Sequence, residues 1–530
     1  MDKLTKIFLR KREVLKLPKD SNLQSIILNI LNYFRKISKT NISFEEYKLL
    51  NLFINDFFVV FSAEDFIIDE QNIIPFITLN PIISNITSIS DLKTTDDYIK
   101  KLSGFKSPDN NVIAKFLTLY SFRNKINIDY DFIFSFKREM VLTWYWIFFD
   151  VYDFITERHY HKIQDHLEYI DKIEDNLFIP ADFHIPYFLS TYINPVKDRK
   201  IKERINLIIK NNYQGLNKNN RKIISLLKPK IAIASENFCS RHSIHRCYYE
   251  FIKELEKDYD LTLIEFGELP KNTDHDLFKE VINIKPNAEN NLKIAQIINS
   301  NFSVIYYPDI GMNMESILLS NLRLANIQVT GYGHPVSTFG SEIDYFIGGF
   351  DTEILKNYQS NYSEKLILIP GLAVSSLYPD YIPKNIKKNS DPFIIICPWT
   401  IQKINFFHLN KLKELLKNSN KKLLFRFFPA LNSCKQLQDN LVDEIAKILG
   451  KENIEVIGNI SALKYMELFE EGDICIDSYP FGGHNIVVDS LFLGKPIIAI
   501  EGEKAYNKFA GAILKKLNLD ELIARNYDDY

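Results

Sequence analysis

Cysteine is scarce in this 530-residue chain: five residues, Cys239, Cys247, Cys397, Cys434 and Cys475, with no C-x-x-C pair among them. A sparse, odd set argues against a disulfide framework, suggests no zinc site and suits a reducing compartment. Long apolar runs are also missing. The most apolar stretch, Met140 to Phe149, falls well short of the roughly 20 residues that cross a bilayer. Lys137, Arg138 and Asp150 flank it, so it reads as a core helix rather than a membrane span. Net charge is nearly absent, with 65 Lys and Arg against 67 Asp and Glu. Nothing global therefore calls for nucleic acid or a membrane surface as partner. The first 20 residues, MDKLTKIFLRKREVLKLPKD, carry positive charge but lack an uninterrupted apolar core and a small-residue cleavage site. They do not read as a signal peptide, and a cytoplasmic location is expected.

With 46% hydrophobic residues the chain can fill large cores, and its length suits about three domains. Up to residue 220 the pattern is helical. Helices are expected over Ser21 to Ser38, from a capping box at Ser43–Glu46 to about Val60, and over Asn110 to Phe122, Asp131 to Thr156 and His159 to Asn176. No repeat of about 30 to 40 residues recurs there, which argues against a tetratricopeptide array. From residue 228 short apolar runs alternate with amphipathic stretches, the mark of βα units and a parallel sheet. Two series result. One spans 228–385, with strands near Ile231, Leu261, Val304, Ile327, Tyr345 and Leu366, and one spans 390–530, with strands near Phe393, Leu423, Ile454, Ile474 and Ile497. The expected architecture is an all-α N-terminal domain and two doubly wound lobes, with ligands at the carboxyl ends of the strands. The last residues, Asn526 to Tyr530, read as the start of another helix; a natural end and a truncated one both stay open.

The stretch from Asp473 to Gly502 carries the densest chemistry. An apolar run ends at Ser478-Tyr479-Pro480, two glycines follow, and a helix opens at His484-Asn485 with Val487, Val488, Leu491 and Phe492 expected to be buried. Glycine amides and a helix start form an anion seat, and Asp489 lies one turn on. An ordinary strand-turn-helix is the plainer alternative. In the first series the loop Ser235 to Arg246 brings His242 and His245 to a helix start, where a histidine can take a proton or simply cap. The turn Thr330 to Thr338 offers His334, Pro335, Ser337 and Thr338, for a ligand contact or a plain turn. Lys403 stands just past the first strand of the second series, suitably placed to neutralise a phosphate or to be solvated surface. Tyr479 or Phe481 could stack on a base or pack.

Five ordered blocks resemble glycosyltransferase family 41, which holds the protein O-GlcNAc transferases and the bacterial cytoplasmic N-glycosyltransferases. They are Tyr307 to Met312, Leu322 to Thr338, Ile343 to Tyr345, Thr400 to Lys403 and Tyr479 to Asp489, within a resemblance covering Lys228 to Tyr530. The resemblance implies a GT-B fold and a UDP-sugar donor. It implies that Lys403 and Thr400 hold the donor diphosphate, that Gly483, His484, Asn485 and Asp489 bind phosphate and ribose, and that His242 lies near the acceptor with a catalytic role. His334 belongs to a GHP signature, with Pro335 and Ser337 on the acceptor side. The N-terminal region resembles the helical domain of the N-glycosyltransferases. Gly483-His484-Asn485 looks closer to the O-GlcNAc enzymes, and the first-lobe blocks closer to the N-glycosyltransferases. The implied reaction is inverting transfer of a hexose or HexNAc to Asn or Ser/Thr of a polypeptide, such as an adhesin or other surface protein, with no cofactor. No D-x-D pair at a strand end suggests a metal. Transfer to a polysaccharide, epimerisation, and a non-catalytic adaptor of a partner transferase are the alternatives.

Overall fold

The structure is a computed structural model that describes residues 23–37, 42–104, 108–150, 155–173, 182–194, 196–213, 229–235, 238–240, 242–266, 275–284, 290–353, 358–384, 391–431 and 433–530. The chain divides into two compact units, one of residues 1–169, 400–418 and 428–459, the other of 170–399, 419–427 and 460–530.

The first unit is mainly helical. Its helix Leu23–Ile37 falls within the expected bounds. The helix Phe44–Phe61 opens on the expected capping box: Glu46 N donates to Ser43 Oγ at 3.2 Å, and Ser43 N donates to the Glu46 carboxylate at 2.8 Å. The stretch expected as one helix from Asp131 is two, Tyr130–Phe134 and Arg138–Ile147. Ser135 breaks it, because both its amide (3.1 Å) and its hydroxyl (2.6 Å) donate to the Phe132 carbonyl and close the first helix. The second helix buries Trp144, Tyr145 and Trp146, as its apolar run implies. A further helix, Glu157–Glu168, is capped by Thr156, whose hydroxyl accepts from His159 N. The α-helix expected to run to Asn176 stops at Glu168 and tightens into a 3-10 turn, Tyr169–Lys172, while residues 174–176 of the expected helix lie outside the described residues. The helix Lys435–Leu449 also belongs here and packs on Asn80–Ile89. Asn440 donates to the Ser88 carbonyl and Gln436 to that of Ile42, both at 3.2 Å.

The second unit holds the parallel sheets. Strands β1 (Ile231–Ala234), β2 (Leu261–Phe266), β3 (Glu280–Ile284), β4 (Val304–Tyr307), β5 (Ile327–Thr330), β6 (Tyr345–Gly349) and β7 (Lys365–Ile369) run in the order β3-β2-β1-β4-β5-β6-β7. All pair in parallel. Six of these were expected. The seventh, β3, is an edge strand whose first two residues are exposed, so it lacks the continuous apolar run that marks a central strand. In the second series β8 (Phe393–Cys397), β9 (Leu423–Phe427), β11 (Ile474–Ile476), β12 (Ile497–Ile500) and β13 (Ile523–Ala524) lie in the order β9-β8-β11-β12-β13, again parallel; β10 (Ile454–Val456) falls in the first unit. The two-residue β13 was not expected. After it comes a turn rather than the start of a helix: Asn526 Oδ1 accepts from the amides of Asp528 (2.8 Å) and Asp529 (3.0 Å). A side chain that captures its own backbone in this way competes with helix formation.

Strand order reverses at β1 in one sheet and at β8 in the other. Such switch points open a crevice at the carboxyl ends of the strands. The loop after β1 and the loop after β11 both start there.

Candidate active site

The loop after β11 is built around an internal anion. Asp477, 3% exposed, follows the strand directly, and its Oδ1 accepts from the amides of Ser478 (2.8 Å) and Gly483 (2.9 Å). The Gly482 amide donates to the Tyr506 carbonyl at 3.0 Å. A Cβ on Gly482 would lie 2.7 Å from Asp477 Oδ2, and one on Gly483 would lie 2.2 Å from Ile486 Cγ1, so both positions need glycine. This revises the anion seat expected of the glycines, since a carboxylate of the protein itself already occupies the Gly483 amide. What stays open is the first turn of the helix Asn485–Phe492: His484 is its N-cap without a side-chain cap, and the amides of Asn485 and Ile486 meet no acceptor among the described residues. Those amides and the helix dipole favour an anion.

The same helix turns a different face inward from the one expected. Val487 is buried, but Val488, Leu491 and Phe492 are only half-buried, while Asp489 and Ser490 lie inside. Asp489 can be buried because Arg246, on the helix Ser243–Glu256 after β1, grips it. Arg246 Nη2 meets Asp489 Oδ1 at 2.8 Å and Nη1 meets Oδ2 at 3.4 Å. Arg246 Nε and Nη2 also donate to the Leu377 carbonyl at 3.1 and 3.0 Å. Burial raises the pKa of Asp489, and Arg246 opposes that rise.

His484 Nε2 lies 3.3 Å from the Ser376 hydroxyl, and its Nδ1 lies 3.7 Å from Cys247 Sγ. Burial pulls its pKa down to about 4, so at neutral pH the ring donates a hydrogen bond without bringing a charge. Asn485 Oδ1 sits 3.7 Å from the same thiol, and Asn485 Nδ2 donates to the Ser243 carbonyl at 3.5 Å. Burial pushes the Cys247 pKa up to about 11, which keeps it a thiol.

His242 is the N-cap of its helix, with Nδ1 accepting from Ile244 N at 3.2 Å. That bond puts the ring proton on Nε2, and burial lowers the pKa to about 4. A proton-accepting His242 must therefore first give up its cap.

His334, 3% exposed, lies against Phe188 (5.0 Å between ring centroids) and Phe481 (6.1 Å). Its Nδ1 is 3.2 Å from the Ile310 carbonyl, which makes Nδ1 the protonated nitrogen; Nε2 is buried without a hydrogen-bond partner. Pro335 is half-buried beside it. Ser337 does not offer its hydroxyl to a ligand here: it donates to the buried Glu364 at 2.7 Å, and Glu364 also accepts the Thr338 amide at 2.8 Å. Phe481 stacks on Tyr506 at 4.8 Å and on Tyr192 at 4.3 Å, so it packs rather than waits for a base. Tyr479 meets Tyr527 edge-on.

The second unit thus brings the helix after His242 to His484, Asn485 and Asp489, and brings His334 to Phe481. Thr400 and Lys403 belong to the first unit. Thr400 precedes a short 3-10 turn, Ile401–Lys403; its carbonyl accepts the Lys403 amide at 2.8 Å, and its Oγ1 is buried without a hydrogen-bond partner. Lys403 is half-buried. The sequence reading assigned no role to Arg246, Cys247, Ser376 or Asp477. An acidic residue ending a strand just before a glycine pair was the signal for Asp477. Arg246 stands one helical turn after His242, but its partner is distant in the chain.

No family profile matches the chain. It is similar to the UDP-glucose:protein N-beta-glucosyltransferase of Actinobacillus pleuropneumoniae serotype 5b (strain L20), 24% identical over 439 residues that cover 79% of this chain and 69% of the relative. A probable UDP-N-acetylglucosamine--peptide N-acetylglucosaminyltransferase SPINDLY of Eustoma exaltatum subsp. russellianum matches over 39% of this chain and 23% of its own length at 26% identity. Among solved structures, a mutant O-GlcNAc transferase of Thermobaculum terrenum superposes with a TM-score of 0.59 over 96% of this chain and 89% of that one, at 12% identity, a likeness of fold. Sheets, switch points and relatives define the class: a glycosyltransferase of the GT-B fold. Within that class the chain is like family 41, as its five sequence blocks imply.

Proposed function

We propose that the chain transfers a hexose or N-acetylhexosamine from a UDP-sugar to an Asn or Ser/Thr side chain of a polypeptide, with inversion and without a metal. The observation that carries this is the unclaimed first turn at Asn485 and Ile486 beside buried Asp489, in a chain aligned over 79% of its length with a protein N-glucosyltransferase. The acceptor atom attacks the anomeric carbon from the face opposite the nucleotide; that bond forms as the bond to the β-phosphate breaks, the acceptor's proton passes to His242 Nδ1 once it releases the Ile244 amide, and UDP leaves. The amides of Asn485 and Ile486, with Gly483 shaping the loop, hold the diphosphate, and neutral His484 adds a donor. The sequence resemblance assigns Thr400 and Lys403 to the diphosphate as well, with Lys403 as a source of positive charge. Single preorganised donors of this kind are worth about 3 kcal/mol in the transition state. Asp489 accepts from the ribose. His242 stands on the acceptor side, with His334, Pro335 and Ser337 shaping that wall; the unpartnered His334 Nε2 is the lone pair best suited to accept a hydrogen bond from a sugar or acceptor group. Residues 1–220 form the acceptor-side domain, and 228–385 and 390–530 the two lobes. The enzyme acts in the cytoplasm on a protein such as an adhesin.

The test is incubation with a panel of UDP-sugars and a mixed peptide library, read by mass spectrometry for the added mass and its attachment residue. Addition of a hexose or HexNAc to Asn, Ser or Thr supports the proposal; no addition to any peptide sinks it and points to a polysaccharide acceptor. Lys403→Ala should abolish transfer while leaving the thermal transition in place, and retained turnover would remove Lys403 from the mechanism.

A further inference from the structure

Asp489 is nearly buried, yet it is the side chain that the proposed function assigns to the ribose. A buried carboxylate is useful as a hydrogen-bond acceptor only if it stays ionised and if its free lone pairs face the ligand. One residue in this structure meets both needs. Arg246 is oriented before it reaches Asp489, because its Nε and Nη2 donate to the Leu377 carbonyl at 3.1 and 3.0 Å. The remaining edge of the guanidinium grips the carboxylate, at 2.8 Å to Oδ1 and 3.4 Å to Oδ2. The side chains are 20% and 6% exposed, so water screens the pair weakly. The long Nη1 contact leaves Oδ2 the less committed oxygen, with lone pairs to spare. The two residues come from helices after different strands, β1 and β11, and the contact is reinforced by Asn485 on the Ser243 carbonyl and by Cys247 beside His484 and Asn485.

We infer that Arg246 is a positioning residue of the donor seat: it fixes the Asp489 carboxylate so that Oδ2 accepts from the ribose hydroxyls, and it thereby sets nucleotide affinity without touching the nucleotide. The inference rests on the donor-seat reading above. It differs from a latch, in which the Arg246–Asp489 pair would hold the seat shut and its loss would tighten binding. It also differs from a purely structural role, in which loss would weaken every ligand alike. Burial already raises the Asp489 pKa against the pull of Arg246, so a variant without the guanidinium loses acceptor capacity as pH falls.

The experiment is calorimetric titration of the full chain with UDP and with 2′,3′-dideoxy-UDP, for wild type, Arg246→Met and Arg246→Gln. Two substitutions are used so that one misfolded variant does not remove the test. Wild type should prefer UDP. In either variant the Kd for UDP should rise about tenfold or more, the loss of a hydrogen bond to a charged acceptor, while the Kd for the dideoxy nucleotide stays within about twofold. The UDP penalty should deepen as pH falls, since burial raises the Asp489 pKa once Arg246 no longer opposes it. Equal weakening of both nucleotides, tighter binding of either, or an unchanged preference in the variants overturns the inference alone. A wild-type chain that binds neither nucleotide, or both equally, overturns the donor-seat reading and this inference with it.

Discussion

Acidification should destabilise the helical unit through one residue. His166 is completely buried in an aromatic box, stacked between Tyr145 (4.2 Å, 19°) and Phe148 (4.3 Å, 21°) with Trp144 edge-on. Its Nε2 donates to the Tyr145 carbonyl at 2.8 Å, and its Nδ1 accepts from the Tyr130 hydroxyl, 3.1 Å away. A second proton would desolvate a charge and turn the Nδ1 acceptor into a donor facing another donor. Burial accordingly lowers the pKa from 6.5 to about 3. The folded pKa is depressed, so the native state binds fewer protons than the unfolded chain below pH 6.5. Stability from this group is therefore full above pH 6.5 and is lost as pH falls from there towards 3. Between pH 7 and pH 4 the unfolded state gains about 3 kcal/mol, at roughly 1.4 kcal/mol per pH unit below 6.5. The comparison that isolates it is His166→Gln, whose amide can still donate to the Tyr145 carbonyl and accept from Tyr130 but does not titrate. Urea unfolding followed by tryptophan fluorescence at pH 7, 5.5 and 4 should show the gap between wild type and variant closing by about 3 kcal/mol. Parallel pH dependences for the two proteins would refute the reasoning.

Three further outcomes are expected. Asp477→Ala leaves the buried amides of Ser478 and Gly483 without their acceptor and should cost about 3 kcal/mol, read as a lower thermal transition, with Asp477→Asn milder. Gly483→Ala forces Ile486 aside and should abolish the stabilisation that saturating UDP gives the wild type in a thermal shift assay. Ser43→Ala removes one half of a capping box and should lower stability by about 1 kcal/mol in urea, with UDP binding unchanged.

What the sequence made legible was whatever is local in the chain. The Ser43–Glu46 capping box, eleven of the thirteen strands among the described residues and the helix start at His484 each follow from neighbouring residues, and the structure has them where they were expected. The two missed strands lack a run: β3 is an edge strand with an exposed start, and β13 has only two residues. The break at Ser135 went unseen because a mid-helix serine is compatible with either outcome until its hydroxyl finds a carbonyl. His484, Asn485 and Asp489 stood out in the sequence, but the contacts they make did not. Arg246 and Asp489 are 243 positions apart, and no periodicity joins them. The grouping of Lys435–Leu449 with Asn80–Ile89 depends likewise on packing between segments more than 300 residues apart, through contacts such as Asn440 on Ser88.

Asp477 also governs how fast the loop can meet a ligand. A loop wrapped round a carboxylate of its own is ordered before any ligand arrives, so the conformational entropy of fixing residues 477–483 is settled during folding. On the proposed function, nucleotide capture then needs no slow rearrangement of this segment. Stopped-flow mixing with UDP should show a single phase, linear in nucleotide concentration, with no plateau from a preceding isomerisation of the loop.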